Sequence, residues 1–564
     1  MQREWQRPGE RTTEAAERLS REQGIPRPVA YSLVRRGLED VAVRDHFLNP
    51  RLKSLGDPMV FAQMDRAVTR VWEAVDGSER IFVHGDYDVD GITGTAFLTR
   101  TLRALGADVV PFVPSRSEGY GLGAAGIAAA KKERTDLLIT VDCGMTAFDA
   151  VRELDEAGID VIIVDHHQPA DTLPAAVAVI NPFLGTGARH FTNLSAVGVA
   201  AKLLHAMAIA RPGSLPPEDY KEALQLVALG TIADVVPLLD ENRILVSYGL
   251  RRLSRSRWVG IQALKATARL SRPRISATDV AFSLAPRINA VGRMGNARDA
   301  LALLLADDPV EAYRLADQVE RMNADRRRSD DLVLREALDA LTALPEVPPA
   351  VVLWSEGWPV GVIGIAASRL VDRYHRPVVL LSVEGATARA SARSPAAFPL
   401  PPALNRCADL FLEHGGHAQA AGFTIPTENL EAFRTRFLAT VSGADILEEA
   451  GPWVLDATVG FHELTPECVS WLERLEPFGN GNPEPLFGGE GFVLAESPSV
   501  VGARHMRLVF EAGEGRLRGI AFNQARLVED FSRGQRVDTV FHAGFDTWRG
   551  GRHVQIVVKD LKAG

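Results

Sequence analysis

IFVHGDYDVDG, residues 81–91, sets the apolar run Ile81–Phe82–Val83 directly against His84, Asp86, Asp88 and Asp90. Carboxylates packed this tightly repel one another unless a cation neutralises them. An apolar run that stops at a polar motif also marks a parallel strand whose carboxyl end carries a ligand site. The arrangement recurs twice: LLITV precedes Asp142–Cys143–Gly144, and VIIV precedes Asp165–His166–His167. These runs are continuous rather than alternating, as in parallel strands covered by helices on both faces. Between them, ITGTAFLTRTLRALG and TAFDAVRELDEAG have helical spacing. The pattern predicts an α/β fold with a parallel-sheet domain over residues 56–250. Its strand ends would bring three distant motifs to one edge.

Outward from this block the chain changes character several times. Its 564 residues exceed one ordinary hydrophobic core, so two to four domains are expected. Residues 1–55 read as a helical extension broken at prolines. Residues 251–345 read as a helical region ending in a long charged connector, closed by the linker PEVPP. The α/β pattern resumes over 346–435, where Gly361 and Gly364 precede a helix and could let phosphate approach its N-terminus. In GGHAQAAGF, Gly415 and Gly416 deliver His417 at the start of a helix-like run. Residues 450–564 alternate in short strands with glycine turns, the pattern of a small OB-fold barrel.

Composition excludes some classes and leaves others open. The net charge of −9 does not announce a nucleic-acid binder, yet residues 501–564 hold eleven Lys or Arg against seven Asp or Glu. Phe510, Phe522, Phe545 and Trp548 lie in that segment and offer stacking surfaces, although most must be core in so small a barrel. Three scattered cysteines without CxxC spacing argue against disulfides and structural zinc and fit a reducing cytoplasm. No apolar run suits a signal peptide or a membrane span.

The polar motifs together suit a pair of divalent cations about 4 Å apart, which polarise a phosphodiester and activate water. Oxygen and imidazole donors favour Mn2+ or Mg2+ over a thiolate zinc site, so Cys143 is not needed as a ligand or nucleophile. The candidate donors are His84, Asp86, Asp88, Asp142, Asp165, His166, His167 and Asp234, with Asp142 as the bridge. Asp90, at the turn and of opposite parity to Gly91, reads as a structural cap. Asp234 stands among apolar neighbours in TIADVV, where an unpaired carboxylate is expensive. Arg287, Asn289 and Arg293 in APRINAVGRMG sit among small residues suited to approaching an anionic backbone, whereas Arg251, Arg252, Arg255 and Arg257 read as a solvated face.

HGDYDVDG, VDCG, VDHH and LGTIADVVPL resemble the four motifs of the DHH phosphoesterase family. APRINAVGRMG, GVIGIAASRL, SARS and GGHAQAAGF are similar to its RecJ-type single-strand exonuclease branch, and the resemblance spans about residues 55–560. It implies a DHH domain, a long connecting helix, a DHHA1 domain and an OB-fold. It also implies 5′ to 3′ degradation of single-stranded DNA to mononucleotides in recombination and repair, dependent on Mn2+ or Mg2+. On matching positions it makes Asp86, Asp88, Asp142, His166 and Asp234 metal ligands, His84 an extra ligand or close neighbour, and His167 a catalytic group beside the scissile phosphate. Ser391, Arg393, Gly415, Gly416 and His417 would bind substrate phosphates. Arg504, Arg507 and Arg549 are the barrel's candidate contacts to the strand. A monomer with a single-strand-binding protein and a helicase as partners is the associated expectation, although some members carry a further C-terminal domain. The alternatives are a short-oligonucleotide or cyclic-dinucleotide phosphodiesterase, a pyrophosphatase, or a non-catalytic scaffold.

Overall fold

The computed structural model describes residues 3–184, 191–442, 451–513, 515–546 and 552–564. Five parallel strands form the first sheet: β1 (Arg80–Gly85), β2 (Asp108–Phe112), β3 (Leu137–Val141), β4 (Asp160–Val164) and β5 (Ala178–Ile180), in the order β2-β1-β3-β4-β5. Side chains along each strand alternate between two cores. Ile81, Val83, Leu137, Ile139 and Val141 face one of them, together with α1 (Val89–Ala104), α2 (Ala196–Ala210), α3 (Pro217–Ala233) and α4 (Asp240–Ser254). Phe82, Leu138, Val161 and Ile163 face the other, with Ile127, Val151 and Leu154. Burial on both faces is why these strands read as unbroken apolar runs.

A π-helical turn at Val280–Leu284 leads into α5 (Ala285–Met294). The connector is α6 (Pro309–Thr342), whose 34 residues span about 50 Å. Its first half buries Leu315 and Val319 in the first domain, and its second half buries Val333, Ala337 and Leu341 against the next. That second α/β unit holds β6 (Val351–Ser355), α7 (Val360–Tyr374), β7 (Val378–Glu384), β8 (Thr387–Arg393), β9 (Glu413–Gly416) and β10 (Ala420–Pro426), in the sheet order β9-β10-β8-β7-β6. The helix-like reading of GGHAQAAGF is corrected here: the segment is a hairpin, in which His417 N donates to Ala420 O at 2.8 Å. Ala421, Phe423 and Ile425 are buried at alternate positions, so the period is that of a strand.

The last unit is a seven-stranded sheet of β11 (Ala457–Thr458), β12 (Phe487–Val493), β13 (Ser499–Val501), β14 (His505–Ala512), β15 (Gly515–Ala521), β16 (Arg536–Phe545) and β17 (Val554–Ala563). Its order is β11-β12-β16-β17-β15-β14-β13, and a bridge from Leu494 to Phe510 curls it towards closure as an OB-like barrel. Phe510 is fully buried in its core and is not a stacking surface; Phe522 remains 52% exposed; Trp548 and Arg549 lie outside the described residues. The N-terminal helices share this core through Val29, Leu33, Phe47 and Leu48. Buried Arg243 of α4 ties the units together by donating to the carbonyls of Phe47, Arg474 and Leu475. No helix among the described residues is long and apolar enough to cross a membrane.

Candidate metal centre

The carboxyl edge of the first sheet gathers the acidic motifs. β1 ends at Gly85, where a Cβ would lie 2.1 Å from Thr95 Oγ1 and 2.4 Å from Gly91 O, so the chain can turn tightly into α1 only with glycine there. Asp88 caps α1, its Oδ1 accepting from Asp90 N at 2.9 Å and Gly91 N at 3.1 Å. Asp90 caps a different helix: its two oxygens accept from Ala196 N and Val197 N at the start of α2. Asp142, one residue past β3, holds a left-handed backbone with φ +66°. Such conformations cluster at functional sites.

Among the described residues, His84 Nε2, Asp86 Oδ2, Asp142 Oδ1 and Asp234 Oδ2 are buried at this edge without a hydrogen-bond partner. Asp142 Oδ1 lies 3.2 Å from His166 Nε2, and Asp234 Oδ2 lies 3.7 Å from the same nitrogen. Asp142, His166 and His167 offer donor atoms within 4.8 Å of one another, as do Asp90, His166 and Asp234. Burial, followed by the neighbouring Asp88, raises both Asp86 and Asp234 to about 7. Burial and then Asp88 also push Asp142 up, while burial holds His166 down at about 4, neutral and able to donate a lone pair. Orphaned carboxylate oxygens around a neutral imidazole fit a hard divalent cation.

His84 stands apart from both donor groups. Its ring is fully buried against Phe112, with Nδ1 3.9 Å from Cys143 Sγ. A Cβ on Gly126 would come 2.4 Å from its Nε2, so the small residue makes room for the ring. Asp165 holds its neighbours instead of standing open: Oδ1 accepts from His166 N, His167 N and His167 Nδ1, and Oδ2 accepts from Met145 N. That carboxylate raises the pKa of His167, whose Nε2 faces Tyr120 Oη at 3.4 Å across the mouth of the site. Tyr120 in turn donates to Asp142 O at 3.0 Å. Neither Tyr120 nor Arg116 stands out in the sequence reading, although SRSEGYG follows a strand directly and so falls on the ligand-bearing edge.

Opposite the carboxylates lies a cationic wall. A cavity of about 320 Å³ is lined by Asp86, Asp88, Arg116, Tyr120, Asn289 and Arg293 among others. Burial, then the guanidiniums of Arg116, Arg326 and Arg393, pull Arg293 down to about 10. Arg393 donates to Ser391 Oγ at 3.1 Å, and both side chains pack on α7. The glycines of α7 serve that packing: a Cβ on Gly361 would meet Arg293 O at 2.7 Å, and one on Gly364 would meet Ser391 Oγ at 2.8 Å. Gly361 and Gly364 lie inside the first turns of α7 rather than before it, and they let Arg293, Ser391 and Arg393 pack closely at that end of the helix.

Arg287 does not join the wall. It is buried, paired with Glu320 of α6 and donating to Ser283 O, so its expected substrate contact is corrected to an internal staple. Gly415, Gly416 and His417 sit exposed on the hairpin of the second unit. On the barrel, a groove of about 1150 Å³ is lined by His505, Arg507, Arg516, Arg518 and Phe522. Arg507 donates to Ser499 Oγ at 3.1 Å, and Arg504 lies exposed in the preceding turn.

Family models match three stretches: the DHH family N-terminal domain over residues 80–231, the DHHA1 domain over 348–443 and the RecJ OB domain over 455–560. The single-stranded-DNA-specific exonuclease RecJ of Bacillus subtilis is 35% identical over 539 residues, covering 94% of this chain and 67% of that protein. The protein of the same name from Dickeya dadantii is 35% identical over 537 residues, covering 91% and 93%. Among solved structures, RecJ of Thermus thermophilus in complex with Mn2+ superposes with a TM-score of 0.82 at 34% identity, covering 100% of this chain and 80% of that one. Its complex with Mg2+ gives 0.77 at 32% identity, covering 100% and 78%.

Proposed function

The chain belongs to the RecJ family of DHH phosphoesterases, and from that premise we propose that it hydrolyses single-stranded DNA from the 5′ end to mononucleotides. The observation that carries the reading is the cavity between the acidic edge and the guanidinium wall. Asp86, with one buried oxygen unpartnered among the described residues, and Asp88 line it together with Arg116, Asn289 and Arg293. A phosphodiester is the one component of DNA that both sides can hold at once.

Asp86, Asp88, Asp142, His166 and Asp234 would hold the Mn2+ or Mg2+, with His84 behind them. The bound cations supply the Lewis acid that polarises the phosphodiester and acidifies a water. The protein's own groups orient and exclude. Asp165 fixes the His167 ring through Nδ1, leaving Nε2 to donate towards a phosphate oxygen. Arg293, Arg393 and Ser391, at the first turn of α7, would receive the terminal phosphate one nucleotide beyond the metals, which sets the step length. Asn289 lines the approach, while Gly415, Gly416 and His417 border the strand from the second unit. The barrel groove, lined by Arg507, Arg516 and Arg518, would hold the strand further along, with Arg504 in the neighbouring turn. The same reading sets the chain in the cytoplasm as a monomer serving recombination and repair. A helicase and a single-strand-binding protein are the partner classes that would present its substrate.

The test compares 5′- and 3′-labelled single strands and duplexes in Mn2+, using the unsubstituted chain and Asp142→Ala. Mononucleotides should leave the 5′ end of single strands only, and the variant should lose roughly 10²- to 10³-fold in kcat, the scale of a lost electrostatic stabiliser. Unchanged activity in the variant would defeat the proposed centre. Release from the 3′ end would defeat the polarity.

A further inference from the structure

The segment that leaves Asp234 is built in an unexpected way. Val235 follows it with a backbone φ of +58°, a region that branched side chains avoid. Its side chain is 65% exposed, so packing does not force this conformation. Its carbonyl is held from outside the catalytic domain: Asn480 Nδ2 donates to Val235 O at 2.8 Å. The backbone of the same asparagine closes a second bond, with Leu238 N donating to Asn480 O at 2.8 Å. Asn480 lies within the stretch matched by the RecJ OB domain.

The clasp fits closely and is braced from behind. A Cβ on Gly479 would come 2.7 Å from Leu238 Cδ1, and Gly481, at φ +74°, faces Pro237 and Leu239. Leu238 belongs to the catalytic core while Leu239 packs on the barrel core, so residues 235–239 are common to both. Buried Asn482 anchors the barrel side by donating to Leu475 O and Pro477 O, and its Oδ1 accepts from Arg36 Nε. By contrast, Asp234 Oδ2 has no hydrogen-bond partner among the described residues. Its aim is set by the backbone on either side: the end of α3 before it and the left-handed turn after it.

We propose that Asn480 is a positioning residue, holding the turn at Val235 so that Asp234 points into the metal centre. The inference rests on Asp234 serving as a ligand there, and it makes the barrel part of the catalytic apparatus as well as a handle on the strand. Loss of the Asn480 bond lets the turn relax and costs cation affinity even when no DNA is present.

The experiment titrates Mn2+ into the full chain without DNA, following free Mn2+ by electron paramagnetic resonance. It then measures hydrolysis of a 5′-phosphorylated dinucleotide, too short to reach the barrel. Asn480→Asp keeps size and backbone but replaces the donor with an oxygen. It should weaken Mn2+ by about fivefold, the worth of one net hydrogen bond, and lower kcat on the dinucleotide with little change in KM. Val235→Gly in the same chain should restore both, because glycine takes the left-handed turn without restraint. Unchanged Mn2+ affinity and dinucleotide kcat in Asn480→Asp would overturn the inference while leaving the metal centre intact. Failure of the unsubstituted chain to bind Mn2+ would overturn the centre itself, and this inference with it.

Discussion

Replacing Asp165 by asparagine separates holding a histidine from holding a cation. The carboxylate accepts at Oδ1 from His166 N at 2.7 Å, His167 N at 3.1 Å and His167 Nδ1 at 2.7 Å, and at Oδ2 from Met145 N at 3.3 Å. An asparagine has one oxygen to offer. Turned towards the histidines it keeps three of these four bonds and loses only the longest, so the fold should lose about 1 kcal/mol. What changes is the character of the bond to His167. A hydrogen bond to a charged partner contributes about 1.5–3 kcal/mol and a neutral one about 1 kcal/mol, so the imidazolium loses roughly 0.5–2 kcal/mol of support. In rate terms, Asp165→Asn should lower kcat by roughly 2- to 30-fold. His167→Ala, which removes the donor itself, should cost about 10²- to 10³-fold. The double variant should be no slower than His167→Ala, because the carboxylate acts through the ring. Steady-state release of mononucleotides from a single strand in saturating Mn2+ measures all three. A double variant slower by the product of the two separate losses would refute the argument, as would an Asp165→Asn chain with full kcat.

Phe282 is 80% exposed on the π-helical turn, and Phe282, Pro286, Asn289 and Arg293 fall on one helical face leading to the cavity. With base stacking worth about 1–3 kcal/mol, Phe282→Ala should raise KM on long single strands about fivefold or more and spare the dinucleotide; equal KM on both chains would remove the platform. Burial raises Glu476 from its ordinary 4.5 to about 7 against the pull of Arg274. The folded state therefore keeps this proton longer than the unfolded one, and stability falls as pH rises from about 4.5 to about 7. Glu476→Gln should raise Tm more at pH 8 than at pH 5, and equal shifts in thermal melts would contradict that sign.

The parts of this chain visible in the sequence are those where chemistry and local pattern coincide. An apolar run that ends at an aspartate shows both the strand and a candidate ligand, which is why Asp86, Asp142 and His166 could be placed at one sheet edge without coordinates. Arg287 and Arg293 look alike in APRINAVGRMG, yet Glu320 of the distant α6 neutralises the first, while the second faces other guanidiniums. Only the fold distinguishes them. GGHAQAAGF misleads because alanine favours helix, although Ala421, Phe423 and Ile425 already alternate with the period of a strand. Tyr120 escapes because its segment has no periodicity to read, and its value lies in reaching Asp142 O and His167 from another loop. Asn480 escapes for a deeper reason. Its meaning is a bond to a carbonyl 245 residues earlier in the chain, in a turn whose strain no propensity scale would assign to valine. A site assembled from strand ends can be read motif by motif. The clasp that keeps one of its carboxylates aimed is a property of how two domains meet, and that is where substitutions remote from the metal centre should still reach it.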